Sequence, residues 1–253
     1  MFNWKNRARA ALIHLGASAV LAGLAALLVF GLWYPYPYSE VSGGRSLFAL
    51  VISVDVVLGP LITFAIFDLG KGWPVLRRDF AVVGLLQVAG LLYGLWTVQL
   101  ARPVHMVFEI DRFRVVHNID IPEDMLDKTP PGVVAIPWRG PTLLAVRPFR
   151  DAQESMEATL AALQGVSLSS RPDLWRTYDA GRADVLAAAK PISELRSRLP
   201  AHSAEVDAAM KELHRDPAQT AYLPMVARKA EAWTVFVDTK SADVVGYLPL
   251  DPF

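Results

Sequence analysis

Residues Leu47–Phe67 read LFALVISVDVVLGPLITFAIF, and the middle of that run, Val54-Asp55-Val56-Val57-Leu58-Gly59-Pro60, decides how the first hundred residues are built. The run is about 20 residues of apolar sequence, enough to cross a bilayer as a helix. Its only charge is Asp55. A carboxylate at that depth costs roughly 2.5–3.5 kcal/mol on insertion scales, so its presence calls for a reason. Pro60 has no N–H, so in an α-helix the carbonyl of Val56 loses its partner four residues on. A buried acid, an orphan carbonyl and the flexible Gly59 therefore sit within one and a half turns, and the membrane half is organised around them.

Two further apolar runs flank this one. Ala10–Leu32 follows a short basic tail, Phe2–Arg9, carrying Lys5, Arg7 and Arg9. The run is too long for a signal-peptide core and no small-residue cleavage site closes it, so it reads as an uncleaved transmembrane helix. Trp33, Tyr34, Tyr36 and Tyr38, interleaved with Pro35 and Pro37, form an interfacial aromatic belt on a helix-stopping segment. Ser42-Gly43-Gly44 is a flexible turn. Phe80–Leu100 is the third span, and its Gly90 and Gly94 have the GxxxG spacing that lets another helix approach closely. The spans are thus expected near 10–32, 47–67 and 80–100, in a membrane domain of residues 1–101.

Charge sets the expected orientation. The tail before the first span and the loop Asp68–Arg78 each hold three Lys or Arg, whereas the loop between the first two spans holds only Arg45. The positive-inside rule puts the N-terminus and the second loop in the cytoplasm and everything after Arg102 outside, which in a Gram-negative bacterium is the periplasm. Depth arithmetic at about 1.5 Å per residue places Asp55 roughly 12 Å from the outer end of its span and roughly 18 Å from the inner end. His14, about 6 Å from the inner end, is a poor partner and reads as an interfacial residue. Tyr93 enters about 20 Å from the inside, so the expected contact is Asp55–Tyr93, with Gly90 and Gly94 allowing the approach.

The totals agree with a two-part chain. Of 253 residues, 25 are basic and 25 acidic, and with no basic excess to pair with phosphates, nucleic acid is not the expected partner. The mean hydropathy of +0.30 comes from one end. Residues 1–100 carry 7 Lys/Arg and 4 Asp/Glu, against 18 and 21 in the remainder, so the second part reads as a water-soluble domain. The absence of cysteine excludes disulfides, thiolate metal sites and a Cys nucleophile.

Residues 102–253 order as strands, helices, strands. Val104–Ile110 and Phe113–Ile119 flank Asp111-Arg112 as a hairpin, and Val133–Pro137 with Thr142–Val146 reads as a second. Asp151 and Glu154 resemble a capping box opening a helix through about Leu163. Pro172-Asp173 opens another helix carrying Leu174, Trp175 and Tyr178, with Gly181 as a candidate break. Short helices are expected at Ile192–Leu199 and Ala204–His214, then strands at Ala221–Arg228, Ala232–Val237 and Asp243–Leu248, the last two framing a hairpin. This pattern predicts an α+β domain with a mostly antiparallel sheet, behind an α-helical membrane domain of three transmembrane helices.

Chemistry is sparse. His105 and His117 with Asp111 or Glu109 make too thin a metal site, and they read as sheet-surface histidines. Ser167-Leu168-Ser169-Ser170 lacks the glycines of a nucleophile elbow, and no phosphate-binding loop is present. Trp138, Trp175 and Trp233 read as core or interface anchors.

Several motifs together carry a resemblance: Trp33-Tyr34-Pro35, Ser42-Gly43-Gly44, the string from Val54 to Leu61, Arg78-Asp79, Gln87, Tyr93-Gly94, Ala101-Arg102-Pro103 and Asp111-Arg112-Phe113. They resemble the type IV pilin accessory protein family. The match covers roughly residues 1–120; beyond that the layout agrees, with Tyr222-Leu223-Pro224 and the final hairpin as matching points. The resemblance implies a multi-pass inner-membrane protein whose partner is a cognate major type IV pilin, with other pilus assembly proteins around it. It implies no enzyme activity, no catalytic residues and no cofactor. Asp55, Gly59, Pro60, Gly90, Tyr93 and Gly94 are then candidates for an intramembrane polar or partner-binding site. The alternative class, an extracytoplasmic sensor or regulator, is weakened by the short cytoplasmic tails and loops. A membrane enzyme using Asp55 lacks a second catalytic group at matching depth.

Overall fold

A computed structural model describes residues 4–228 and 231–253. Phe2 and Asn3 of the basic tail lie outside that set. The chain divides into two compact units, one of residues 4–39 and 43–101, the other of 40–42 and 102–253.

The first unit holds three helices long and apolar enough to cross a membrane: α1 (Trp4–Trp33), α2 (Gly44–Ile66) and α3 (Trp73–Ala101). Each extends beyond the apolar run that predicted it. Helix α1 takes in the basic tail, and α3 starts seven residues earlier than expected because Pro74 fits the first turn of a helix. The Ser42-Gly43-Gly44 turn needs both glycines: Gly43 has φ +69°, and a Cβ on Gly44 would run into the buried Tyr34 ring. At the opposite end, Arg7 donates to the Ala65 carbonyl at 2.8 Å and lies 3.7 Å from Asp68. Lys71 meets Asp79 at 3.0 Å. These contacts bring the start of α1, the end of α2 and the start of α3 to one end of the bundle. Helix α2 packs against both neighbours. A buried cluster of Val29, Trp33, Tyr34 and Val98 ties α1 to α3 at the other end.

The second unit is a single eight-stranded sheet with helices. Its strands are β1 (Pro103–Glu109), β2 (Arg112–His117), β3 (Thr142–Val146), β4 (Trp175–Thr177), β5 (Lys190–Pro191), β6 (Thr220–Val226), β7 (Ala232–Asp238) and β8 (Val244–Leu248). The order is β4-β3-β1-β2-β6-β7-β8, with β5 on β6, and most pairings are antiparallel. The parallel ones are β1 with β3 and β2 with β6. The β2–β6 seam is only two residue pairs long, Phe113 with Met225 and Arg114 with Val226. It joins two packed halves: Val104, Val107, Leu144 and Trp175 on one side, Tyr222 and Phe236 on the other. Helices α4 (Ala152–Leu163) and α5 (Tyr178–Ala188) follow β3 and β4. Helices α6 (Ile192–Arg198) and α7 (Ser203–Glu212) bury Ile192, Leu195, Val206 and Met210 on the second half.

The predicted fold class, three membrane-type helices followed by an α+β domain with a mostly antiparallel sheet, is the fold observed. Several details differ. The first hairpin turns on Ile110-Asp111, with Glu109 paired to Arg112. Val133–Pro137 is not a strand; β3 pairs instead with β1 and β4, so no second hairpin forms there. Trp175 lies on a strand because Pro172–Leu174 makes only a 3₁₀ turn, and the helix begins at Tyr178. Gly181 does not break that helix. A Cβ there would strike the Ala145 side chain, so glycine lets α5 lie close on β3. Only half of the capping box at Asp151 forms: its Oδ1 accepts the Glu154 N–H at 2.8 Å, but the Glu154 carboxylate accepts the Arg150 N–H at 2.7 Å, one residue before the cap, instead of that of Asp151. Arg147 also grips Glu154 through two bonds, which hold its carboxyl down at about 2. Of the three tryptophans, Trp175 and Trp233 are buried and Trp138 is 60% exposed.

Candidate functional site

The middle of α2 is a π-helical turn, Val54–Leu58, immediately before Gly59 and Pro60. In a π turn the carbonyl facing position 60 is five residues back, that of Asp55. Pro60 has no N–H to offer it. The Gln87 side chain from α3 supplies a long hydrogen bond to it at 3.3 Å. The carbonyl rescued by a side chain is thus that of Asp55 and not Val56, because the helix widens by one residue here.

Gly59 is the second element. A Cβ there would fall on the Gln87 amide and 3.2 Å from His14 Nε2. Side chains from both flanking helices therefore converge over its bare Cα. His14 Nδ1 and the buried Thr63 Oγ1 share a hydrogen bond at 2.5 Å. Depth explains the pairing: Thr63 is four residues from the inner end of the predicted α2 span, as His14 is from that of α1, about 6 Å each. Asp55, Gly59 and Thr63 repeat at helical spacing along one face of α2, and His14 and Gln87 meet that face from either side.

A cavity of about 130 Å³ opens against this face, lined by His14, Ser18, Asp55, Gly84 and Gln87 among apolar side chains. His14 and Ala17 also line a larger groove of about 510 Å³ that reaches Asn6, Arg9, Phe67 and Phe80. Asp55, Gly59 and Pro60 thus lie together with His14 and Gln87, two residues that depth alone did not bring to Asp55.

The expected Asp55–Tyr93 contact does not form. Tyr93 is 68% exposed, and its ring lies against Trp96 at 5.8 Å. Six residues separate it from Gln87, about 240° around the helix, so the right depth falls on the wrong face. Gly94, seven residues from Gln87, does face inward: a Cβ there would collide with the Val51 side chain. Gly90 has open space around it. Only one glycine of the pair makes a close approach.

In the second unit, His105 and His117 are not surface residues; both are fully buried. His105 Nδ1 contacts Thr142 Oγ1 at 2.7 Å and Nε2 contacts the Ala135 carbonyl at 2.8 Å. It ties β1 to β3 and to residues 133–137, the segment expected to be a strand. Burial pushes it down to about 4, so it is a neutral ring whose Nε2–H donates to Ala135. His117 binds Asp120 through its ring and its backbone N–H, both at 3.0 Å. Burial alone would raise the Asp120 carboxyl, but these bonds hold it below its ordinary value. Among the described residues, no group of three or more His, Asp or Glu side chains is placed to hold a metal ion.

Comparison with known proteins gives the lineage. The fimbrial assembly protein of serogroup I from Dichelobacter nodosus is 34% identical over 242 residues, covering 95% of this chain and 94% of the relative. The chain belongs to the fimbrial assembly protein family. The serogroup E1 protein of the same organism is 34% identical over the same span, and the protein of serogroups C1 and C2 is 38% identical over 118 residues, 47% of this chain and 88% of the relative. A family model described as fimbrial assembly protein FimB matches residues 2–43, which cover α1 and the Tyr-Pro turn. No solved structure matches. Family membership bears out the resemblance read from the sequence, and for the serogroup I and E1 relatives it extends through both units.

Proposed function

We propose that this protein is an inner-membrane accessory factor for type IV pilus assembly, binding its cognate major pilin before and during incorporation. The observation that carries the reading is the relationship to fimbrial assembly proteins over 95% of the chain. The charge asymmetry supports an orientation with the N-terminus and the α2–α3 loop in the cytoplasm and the second unit in the periplasm. Pilin waits in the same membrane, anchored by an apolar helix with its globular head outside. The membrane unit then shields the pilin helix and the α+β unit reads the head. The role is chaperone-like and non-catalytic, with no cofactor.

The test is co-purification of pilin with the full-length protein from native membranes, alongside a chimera carrying residues 102–253 of a relative. Cognate pilin is expected to co-purify, and its identity to follow the second unit. Co-purification of assembly-machinery proteins without pilin would refute pilin binding. A chimera that keeps the original pilin preference would refute the division of labour.

A further inference from the structure

We propose that the groove at the basic end of the membrane unit binds an anionic phospholipid, with one acyl chain lying along α1 and the phosphate held by Arg9 and Arg77. The site goes beyond the pilin-binding reading and does not depend on it.

Size and lining set the tail. The groove of about 510 Å³ follows α1 from Asn6 to Ala17 and is completed by Phe67, just past α2, and Phe80 of α3. Its α1 residues recur every three or four positions, so they share one face about 16 Å long. The Phe67 and Phe80 rings pack together at 5.9 Å. A helix about 10 Å across would need roughly 1,300 Å³ along that length, so this groove is not a helix seat. Its volume is that of a small-molecule site. Past Asn6 and Arg9 at the mouth, only His14 interrupts an apolar lining, and that ring is engaged by Thr63. A long, narrow, apolar slot that opens onto a bilayer fits an acyl chain.

Charge sets the headgroup. Residues 4–10 and 67–80 make up this end of the unit and hold six cations, Lys5, Arg7, Arg9, Lys71, Arg77 and Arg78, against two acids, Asp68 and Asp79. Arg7 lies 3.7 Å from Asp68 and Lys71 3.0 Å from Asp79. Four positive charges are surplus whichever cations the acids take. Arg9 lines the groove, and Arg77, one turn before Phe80, lies on the same side of α3. Helices α1 and α3 begin at Trp4 and Trp73, so the two arginines stand at one level, about 6–8 Å into their helices. Both precede the apolar runs that start at Ala10 and Phe80, which puts them in the headgroup layer. The exposed Trp4 and Trp73 mark the same layer. A phosphodiester suits two arginines at that level, and a phospholipid carries it at the head of the chain. A zwitterionic lipid would add a cation to the surplus, so the favoured headgroup is one with net negative charge.

The experiment uses the full-length protein in phosphatidylcholine bilayers. These contain phosphatidylglycerol or phosphatidylethanolamine whose acyl chain bears a photo-reactive group, and adducts are located by mass spectrometry. Phosphatidylglycerol adducts are expected to concentrate on Ile13, Ala17 and Phe80 in the groove over Leu12 and Leu85, which are 65% and 72% exposed outside it. The phosphatidylethanolamine probe is expected to label the groove several-fold less. Arg9→Gln and Arg77→Gln are each expected to lower groove adducts about fivefold, the factor that one basic side chain contributes beside an anionic headgroup. Arg78→Gln removes the same charge at the same level, turned about 100° from Arg77, and is expected to change them by less than about twofold. Labelling spread evenly over groove and outward positions would overturn the chain seat. Equal labelling by the two lipids would overturn the preference for negative charge. An equal loss in Arg78→Gln would mean diffuse attraction by the basic end and overturn the assignment of the phosphate to Arg9 and Arg77.

Discussion

The side-chain amide of Gln87 on α3 lies over the bare Cα of Gly59 on α2, and its Nε2 reaches the Asp55 carbonyl one turn away. One helix's missing side chain and the other's long polar one occupy the same space. Gly59→Ala puts a methyl where the amide sits. The helix gains roughly 1 kcal/mol in propensity but loses about 1–3 kcal/mol to overpacking, so net destabilisation is expected. Gln87→Ala added to Gly59→Ala relieves the clash. Thermal unfolding in detergent is expected to show the double variant more stable than the sum of its singles; strict additivity would show that the two residues do not compete for space.

The two glycines of the α3 pair are predicted to behave differently. Gly94→Ala drives a methyl into Val51 and weakens the α2–α3 contact, at a cost of about 1–3 kcal/mol. Gly90→Ala meets open space and stays within about 0.5 kcal/mol of the parent, or gains slightly from helix propensity. Equal effects at both positions, measured by resistance to detergent-induced unfolding, would contradict the packing described.

His105 makes the second unit sensitive to acid. Burial pushes the folded ring down to about 4 from the ordinary 6.5. Between those values the unfolded chain binds the proton and the folded one does not, so stability falls as pH drops from about 6.5 to about 4 and then levels off. The shift corresponds to about 3 kcal/mol at most. His105→Gln is expected to remove this part of the pH dependence. The measurement is hydrogen exchange at β1 as a function of pH; a parent and variant with parallel profiles would rule out the assignment.

Ile110 sits in the two-residue turn between β1 and β2 with φ 55°, and it is 77% exposed. A β-branched side chain is strained there, and no apolar burial offsets it. Ile110→Gly is predicted to stabilise the second unit by about 1 kcal/mol, read from the urea midpoint at unchanged slope. A lower midpoint would mean that the Ile110 side chain makes stabilising contacts that its exposure does not reveal.

The membrane spans, the first and last hairpins and the N-cap at Asp151 were legible in the sequence, because each is set by a local rule. Twenty apolar residues must satisfy their own backbone in lipid, so length and composition alone name a span. Asp151 accepts the N–H of Glu154 three residues on, a cap that needs nothing from the rest of the chain. Likewise Asp55, Gly59 and Pro60 stood out as exceptions within an apolar run. Tertiary structure alone decided what meets them. Depth along a helix follows from residue count, but the face it presents to a neighbour depends on how three helices are rotated together. Tyr93 therefore pointed away while Gln87 and His14 came in over Gly59. The same holds for β3, whose partners β1 and β4 are distant in sequence, and for His105, whose burial depends on Thr142 and the Ala135 carbonyl crossing to it. Hydrophobic pattern and turn chemistry act between neighbours in the chain; pairing across the sheet and azimuth within the bundle are settled only when all the elements pack at once.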